Sequence, residues 1–474
     1  MSHARLLKIL RHSFLGGVSI THQRSDHHPE LLATHKTDRN PVQETKPSFL
    51  QRLLRKACDM EPTEVRATLA SFTLVLVLMG SYYILRPVRD AMASDWTDAE
   101  VSWLWTFTFF FSAIAVSLYG AAVARFNVRK LVPGIYGFFA LSFVGFYLST
   151  QILQDRTLVD KSFYVWVSVF SLFHISVFWT FMADTFSQPQ STRLFGFIGA
   201  GASVGAIAGP AMATLLAGQG NTDPLLLIAS ITIVATLPLI VWVQRLKLSE
   251  LNNQSVSAGQ EDFDYIGGNP LSGFAEFLKS PYLLGIGLFI FLYTSIGSFV
   301  YFELKNLMAD YSRAERTQIW ASMDLVVNVL TLGIAMFATG KMASRLGLSF
   351  TLASVPMMIA LGMIMLMAAP AVATVVALQV ARRAGNYAIS RPAREMLFTA
   401  VDRETRFKAK PVIDIVVYRG GDMLNAWGFT ALTQGLGLGI AATAGVGAVI
   451  ALLWAATGIA LGRSFATRYV TADN

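Results

Sequence analysis

Five ionisable residues, Arg382, Arg383, Asp414, Arg419 and Asp422, stand inside or at the edge of segments long and apolar enough to cross a bilayer. Charges placed there are costly unless they face a partner or an aqueous cavity, so they mark a functional site. The stretch from Arg382 to Asp422 carries nine basic and five acidic residues. Guanidinium groups at such depth match the oxygens of carboxylates and phosphates bidentately, so the chemistry is binding of a small anion. Arg382 and Arg383 are adjacent, hence about 100° apart on a helix, and are expected to point different ways. Arg391 and Arg394 share a face beside Glu395. Arg419 and Asp422, three apart, can pair, whereas Asp414 and Arg419, five apart, fit less well.

A second group ends the first apolar segment, Ser81-Tyr-Tyr-Ile-Leu-Arg86-Pro87-Val-Arg89-Asp90. Arg86 and Arg89 are three apart and share a helix face suited to an anion; the alternative is snorkelling at the interface, with Asp90 as counter-ion. Pro87 removes a helix hydrogen bond and is expected to break the helix there. Asp184 and Asp324 are the other acids in or near apolar segments. Asp324 is expected about one turn into its span, with Asn328 on the same face. Either acid could carry a proton or neutralise a cation on a neighbouring helix, and pairing is the favoured reading.

The elements that must hold these groups follow from composition. The 474 residues are 54% hydrophobic and only 14% charged, with mean hydropathy +0.50. Soluble domains carry about 25% charged residues, so this is an integral membrane protein. Apolar runs of roughly 20 residues, the length that spans the hydrocarbon core as helix, recur along it. Twelve spans are expected, near 67–86, 101–124, 131–153, 163–186, 195–218, 224–244, 282–303, 320–341, 349–369, 371–398, 412–436 and 440–461. They divide into an N-terminal six-helix bundle (67–244) and a C-terminal one (282–461), separated by a polar loop (245–281) and flanked by residues 1–66 and 462–474. Of the 38 lysines and arginines, 28 fall in the N-terminal segment, the even loops (with Lys341, Arg391 and Arg394 at their edges) and the tail, and six in the odd loops. The positive-inside rule therefore puts both termini in the cytoplasm, with a bacterial inner membrane as the expected location. It also accounts for the net charge of +8 without nucleic acid. The first 25 residues lack acids and superficially resemble an organellar presequence; a flexible tail explains them equally. Phe49 to Lys56 form a basic amphipathic stretch suited to the membrane surface.

Small residues mark helix contacts. Gly201, Gly205 and Gly209 recur every four residues, a stripe that another helix can approach closely. The wider pattern Gly196-x8-Gly205-x3-Gly209-Pro210 resembles the antiporter motif of major facilitator exchangers, with Ala213-Thr214 in place of its closing glycines. Gly120-x4-Arg125 and Gly340-x4-Arg345 stand at equivalent loops of the two halves. Six plus six helices with matching loop signals resemble the major facilitator architecture: an all-α membrane protein with its site between two bundles near the midplane.

The chain also resembles nucleotide transporters of the ATP:ADP antiporter type. The matching blocks are Tyr83-Ile-Leu-Arg86-x-x-Arg89-Asp90, Arg394-Glu395-Met396 with Asp402, and Lys408-Ala-Lys410-x-x-Ile413-Asp414-x-Val416. Pro87 stands where that family usually has an acid. The resemblance implies exchange of adenine nucleotides, with Arg89 in the place of a substrate-binding lysine and Arg394, Glu395 and Asp414 as motif positions. The expectation is thus a secondary transporter of a small anion such as ATP or ADP, functional as a monomer. Its candidate ligands are Arg86, Arg89, Arg382, Arg383, Arg394 and Arg419, with Asp90, Asp184, Asp324, Glu395, Asp414 and Asp422 for charge balance or coupling. A proton-coupled carrier of another organic anion and a non-transporting sensor are the alternatives. No enzyme activity and no cofactor are expected: the single cysteine Cys58 and the isolated His174 offer no metal-binding spacing, no nucleophile–base pair is visible, and there is no phosphate-binding Gly-x4-Gly-Lys-Ser/Thr run.

Overall fold

The computed structural model describes residues 60–472 apart from 126–127, 219–221, 252–271, 335–341, 343–344, 402–404, 406–408 and 411. Six helices form the first half: α1 (Val65–Met92), α2 (Asp98–Arg125), α3 (Val128–Ile152), α4 (Thr157–Thr185), α5 (Gln188–Ala217) and α6 (Asp223–Ser249). A short helix, α7 (Ser272–Lys279), precedes the second half: α8 (Pro281–Leu307), α9 (Arg313–Ile334), α10 (Gly347–Ala368), α11 (Val372–Gly385), α12 (Arg391–Leu397), α13 (Tyr418–Thr430) and α14 (Ile440–Ala472). Nine of these helices are long and apolar enough to cross a membrane. Of the twelve expected spans, the second, which is α2, and the tenth and eleventh are not among these nine; charge interrupts the last two, and neither of them is one α-helix. A π-helical turn, Asn386–Ser390, joins α11 to α12, and π-helical turns Val412–Val417 and Ala431–Gly435 flank α13. Lipid leaves backbone groups no water to bond, so a span changes its winding rather than opening.

Within the first bundle α1 packs against α5 and α6, and α3 against α6; within the second, α10 packs against α14, and α8 against α13 and α14. The bundles meet along α5 and α9, α1 and α9, and α2 and α13. The glycine stripe makes one of these contacts possible. A Cβ on Gly201 would stand 2.5 Å from the Phe72 carbonyl oxygen, and one on Gly209 2.5 Å from that of Gly80. At Gly205 it would meet the Leu76 carbonyl closer still. Gly196, with nothing near it, lies off this seam.

Several expectations need correction. α1 runs unbroken through Pro87, which is buried among neighbouring helices that hold the span together. α9 begins at Arg313 rather than near 320, so Asp324 sits mid-helix, not one turn in. α14 continues to Ala472, through most of the residues read as a tail. Phe49–Lys56, Gly340 and most of the central loop lie outside the described residues, as do Asp402 and Lys408.

Because the α5 backbone is in van der Waals contact with α1, a branched side chain at the tightest point forces the helices apart. Gly205→Val is expected to destabilise the protein by about 1–3 kcal/mol or more through overpacking. Gly196→Val, off the seam, should leave the melting temperature of the purified protein unchanged.

Candidate functional site

A cavity of about 550 Å³ lies between the bundles, lined by residues of both. Its wall includes seven arginines (Arg86, Arg89, Arg382, Arg383, Arg391, Arg394 and Arg419) against three aspartates (Asp90, Asp414 and Asp422). Each arrives by a specific local feature. The last turns of α1 bring Arg86, Arg89 and Asp90. The end of α11 brings Arg382 and Arg383 as its apolar face gives way. The π-helical turn after Gly385 shifts the helix register, and Asn386, Tyr387, Arg391 and Arg394 all reach the same cavity. Winding of this kind recurs at functional sites.

Most of the arginines have a counter-ion. Asp90 Oδ1 accepts from Arg89 Nη2 at 2.6 Å and from Nε at 2.9 Å, while Arg86 Nε lies 3.6 Å from Oδ2. Arg394 contacts Glu395 at 2.9 Å and Asp414 at 3.1 Å. Lys410 donates to Glu395 at 2.6 Å. Arg419 and Asp422 pair at 3.7 Å, as their spacing indicated. Asp324 is shared between the bundles: Oδ1 stands 2.5 Å from Arg383 Nη2 and 3.5 Å from Arg86 Nη1. Asp324 and Arg383 are 1% and 2% exposed, so this pairing is fully desolvated. It is also imperfect: Arg383 Nε, Nη1 and Nη2 find no acceptor in hydrogen-bonding geometry.

Arg382 differs from these. It is 6% exposed, its Nε donates to Gln379 at 2.9 Å and its guanidinium carbon lies 5.4 Å from the centre of the Tyr293 ring. Among the described residues no carboxylate oxygen comes within 4.0 Å of it. Only Arg391 among the other cavity arginines shares that property, and Arg391 is exposed. Arg382 and Arg383 diverge as expected from adjacent positions, one towards α8 and one towards α9, yet both border the cavity.

Asp324 and Glu395 stand just behind the wall, on its arginines, whereas Asp184 lies elsewhere. It pairs with Lys247 of α6 at 2.9 Å and lines no part of the cavity. Several features had no sequence signal strong enough to single them out. An aromatic floor closes one end of the cavity: Trp105 Nε1 donates to Tyr164 Oη at 2.7 Å, and Tyr164 Oη and Tyr301 Oη are 2.8 Å apart, with Trp320 beside them. Aromatic residues spaced along apolar helices look the same whether they face lipid or a cavity. Beyond the floor lies a polar latch that joins the bundles. Lys305 Nζ contacts Asp98 at 2.9 Å and donates to the Trp96 carbonyl at 2.8 Å. Arg313 reaches Asp95 at 2.7 Å and Asp160 at 2.8 Å, and Arg316 reaches Asp95 at 2.6 Å. Thr433 donates to Asp98 at 2.8 Å, and Ser102 and Thr430 share a hydrogen bond. The pairing of the acids after α1 with the bases around the α8–α9 turn needed the fold.

The Major Facilitator Superfamily profile matches residues 71–389. The chain belongs to that superfamily. It is therefore a transporter of the major facilitator type, built to expose a central site by alternating access. Solved structures agree on the fold. A bacterial homolog of the human lysosomal transporter Spinster, inward-facing and unoccupied, shares 14% identity over 86% of this chain and 99% of its own, with a TM-score of 0.59. The xylose transporter XylE from E. coli, inward open, shares 13% over 83% and 95%, TM-score 0.59. A POT family transporter in complex with 5-aminolevulinic acid shares 12% over 84% and 96%, TM-score 0.59. No curated protein matches the chain.

The shared carboxylate gives a direct test of this geometry. Asp324→Asn leaves Arg383 buried without its anion, which is expected to cost about 3–5 kcal/mol. Asp422→Asn, whose partner is more accessible, should lower the melting temperature by much less.

Proposed function

We propose that this major facilitator carries an organic anion with more than one negative charge, and that adenine nucleotides, exchanged as ATP and ADP, are its cargo. The observation that carries this reading is Arg382. A desolvated guanidinium with no carboxylate costs on the order of several kcal/mol unless an anion completes it. The remaining donors of Arg383 beside it supply the second half of a bidentate site. Tyr293, Tyr387 and Tyr418 line the same cavity and offer aromatic faces to a planar ring. The blocks around Arg86–Asp90, Arg394–Glu395 and Asp414 support nucleotides in particular.

Arg382, Arg383 and Arg419 are the substrate ligands in this account, with Arg86 and Arg89 bordering the floor and Arg394 at the mouth. Asp90, Asp324, Asp414, Asp422 and Glu395 hold the arginines when cargo is absent. Asp184 fixes α4 to α6 through Lys247. With both termini in the cytoplasm of a bacterial cell, the latch faces outward and the Arg391–Arg394 mouth faces inward. The state is thus open to the cytoplasm, in keeping with the inward-facing conformations of the Spinster homolog and XylE. The bundles, near 67–244 and 282–461, rock about the shared Asp324 within a single monomer.

One observation favours a second reading. Asp324 is a buried carboxylate contacted from both bundles, so a proton on it would release Arg86 and Arg383 together. That arrangement suits a proton-coupled carrier of another organic anion.

A panel of ligands added to the purified protein separates these readings by thermal stabilisation. ATP and ADP are expected to raise the melting temperature well above adenosine, xylose and inorganic phosphate at matched ionic strength, by mass action on the folded state. Stabilisation by a dicarboxylate with none by ATP or ADP would replace the nucleotide reading with the second one.

A further inference from the structure

Glu303 lies in the last turns of α8, away from the cavity, and is 2% exposed. Among the described residues it has no cation within 4.0 Å. Its Oε1 is in hydrogen-bond contact with the hydroxyl of Thr443, which is 0% exposed near the start of α14. That hydroxyl also lies 2.9 Å from the Ile440 carbonyl and 3.2 Å from that of Gly439. One hydroxyl proton cannot serve three acceptors. If the carboxyl is protonated, it donates to Thr443, whose own proton then goes to the Ile440 carbonyl, and the set is satisfied. If it is ionised, a buried anion competes with the helix backbone for a single proton.

We propose that Glu303 is a proton-binding site: it carries a proton while the bundles are latched and releases it to water as they part. The exposed turn 434–437, beside the start of α14, supplies the route to solvent. The charged groups around Glu303 define how release acts on the latch. On α8 itself Lys305, two residues on and so on the other side of the helix, is held by Asp98 of α2 and the Trp96 carbonyl. The Asp98 charge reaches Glu303. Glu100 is engaged by Lys161, and Asp95 and Asp160 by Arg313 and Arg316 of α9. α13 offers only Arg419 and Asp422, which pair with each other, and α11 only Arg382 and Arg383 at the cavity. α14 has no ionisable residue before Arg463, and α10 has none. Ionised Glu303 therefore sets a second negative charge against Asp98, the acid that ties α2 to α8 and to Thr433, and disfavours the latched state. The link to opening rests on alternating access; the protonation itself does not depend on which anion is carried.

Two measurements on the full-length protein in nanodiscs test this. Infrared difference spectra between wild type and Glu303→Gln at neutral pH are expected to show a protonated-carboxyl stretch that the variant lacks, and Thr443→Val should shift that band. Absence of the band in wild type, or a band unmoved by Thr443→Val, overturns the site. For the latch, Ser102→Cys in a Cys58→Ser background is labelled with a maleimide from about pH 5 to about pH 8, a range over which a perturbed carboxyl titrates. The ratio of labelling rates with Glu303 to those with Glu303→Gln cancels the titration of the thiol. It is expected to rise roughly fivefold or more with pH, the scale of ordinary coupling between sites. A ratio that stays flat overturns the coupling.

Discussion

An uncompensated guanidinium in an apolar protein is the constraint on which the rest of this structure depends. Arg382 cannot be hydrated as it would be in water, and among the described residues no carboxylate oxygen comes within 4.0 Å of it. Gln379 and Tyr293 orient it without cancelling its charge. Its neighbours are arranged so that the site does not collapse around it. Asp324 holds Arg383 and Arg86, Asp90 holds Arg89, and Asp422 holds Arg419, all at the edge of the same cavity. Buried pairs of this kind contribute little net stability, since desolvation offsets the Coulomb attraction. Their value here is positional: they keep cationic donors at the interface of two bundles.

That interface is maintained by two opposite kinds of contact. Along α1 and α5 the glycine stripe lets backbones touch, which makes the first bundle a rigid unit. Between the bundles, contacts at the latched end are ion pairs and hydrogen bonds of Asp95, Asp98, Asp160, Lys305, Arg313 and Arg316. Polar contacts of this sort can be exchanged for water when the end opens, whereas close-packed backbone cannot separate without leaving voids. Rigid bundles joined by exchangeable polar contacts are what a rocking mechanism requires. The π-helical turns on either side of α13 and after α11 belong to the same design, because they aim polar side chains inward while keeping backbone groups bonded.

Much of this was legible in the sequence. Length and polarity gave an all-helical membrane protein, the four-residue glycine spacing gave a close helix contact on α5, and membrane-embedded charge located the arginines and aspartates of the cavity wall. The Arg419–Asp422 pair followed from helical spacing alone. Other features were not legible, for physical reasons. Pro87 was expected to end α1 because local rules count only the lost hydrogen bond, and the surrounding helices outweighed it. Winding changes at Asn386–Ser390 and Val412–Val417 leave no periodic signature in so short a stretch. Arg382 and Arg383 both carry charge at the same depth; only packing shows that Asp324 falls to one and not to the other. Glu303 and Thr443 stand 140 positions apart, so their contact was beyond any local pattern.

The central claim is that Arg382 completes its coordination with the transported anion. Calorimetric titration of ADP into the purified full-length protein and into Arg382→Gln tests it most directly, with Arg463→Gln, remote from the cavity, as the control. Saturable binding to wild type and the control, with a loss of roughly tenfold or more in Arg382→Gln, is the predicted result, since a charge-assisted hydrogen bond to a buried group contributes about 1.5–3 kcal/mol. Equal affinity in all three proteins would contradict the account.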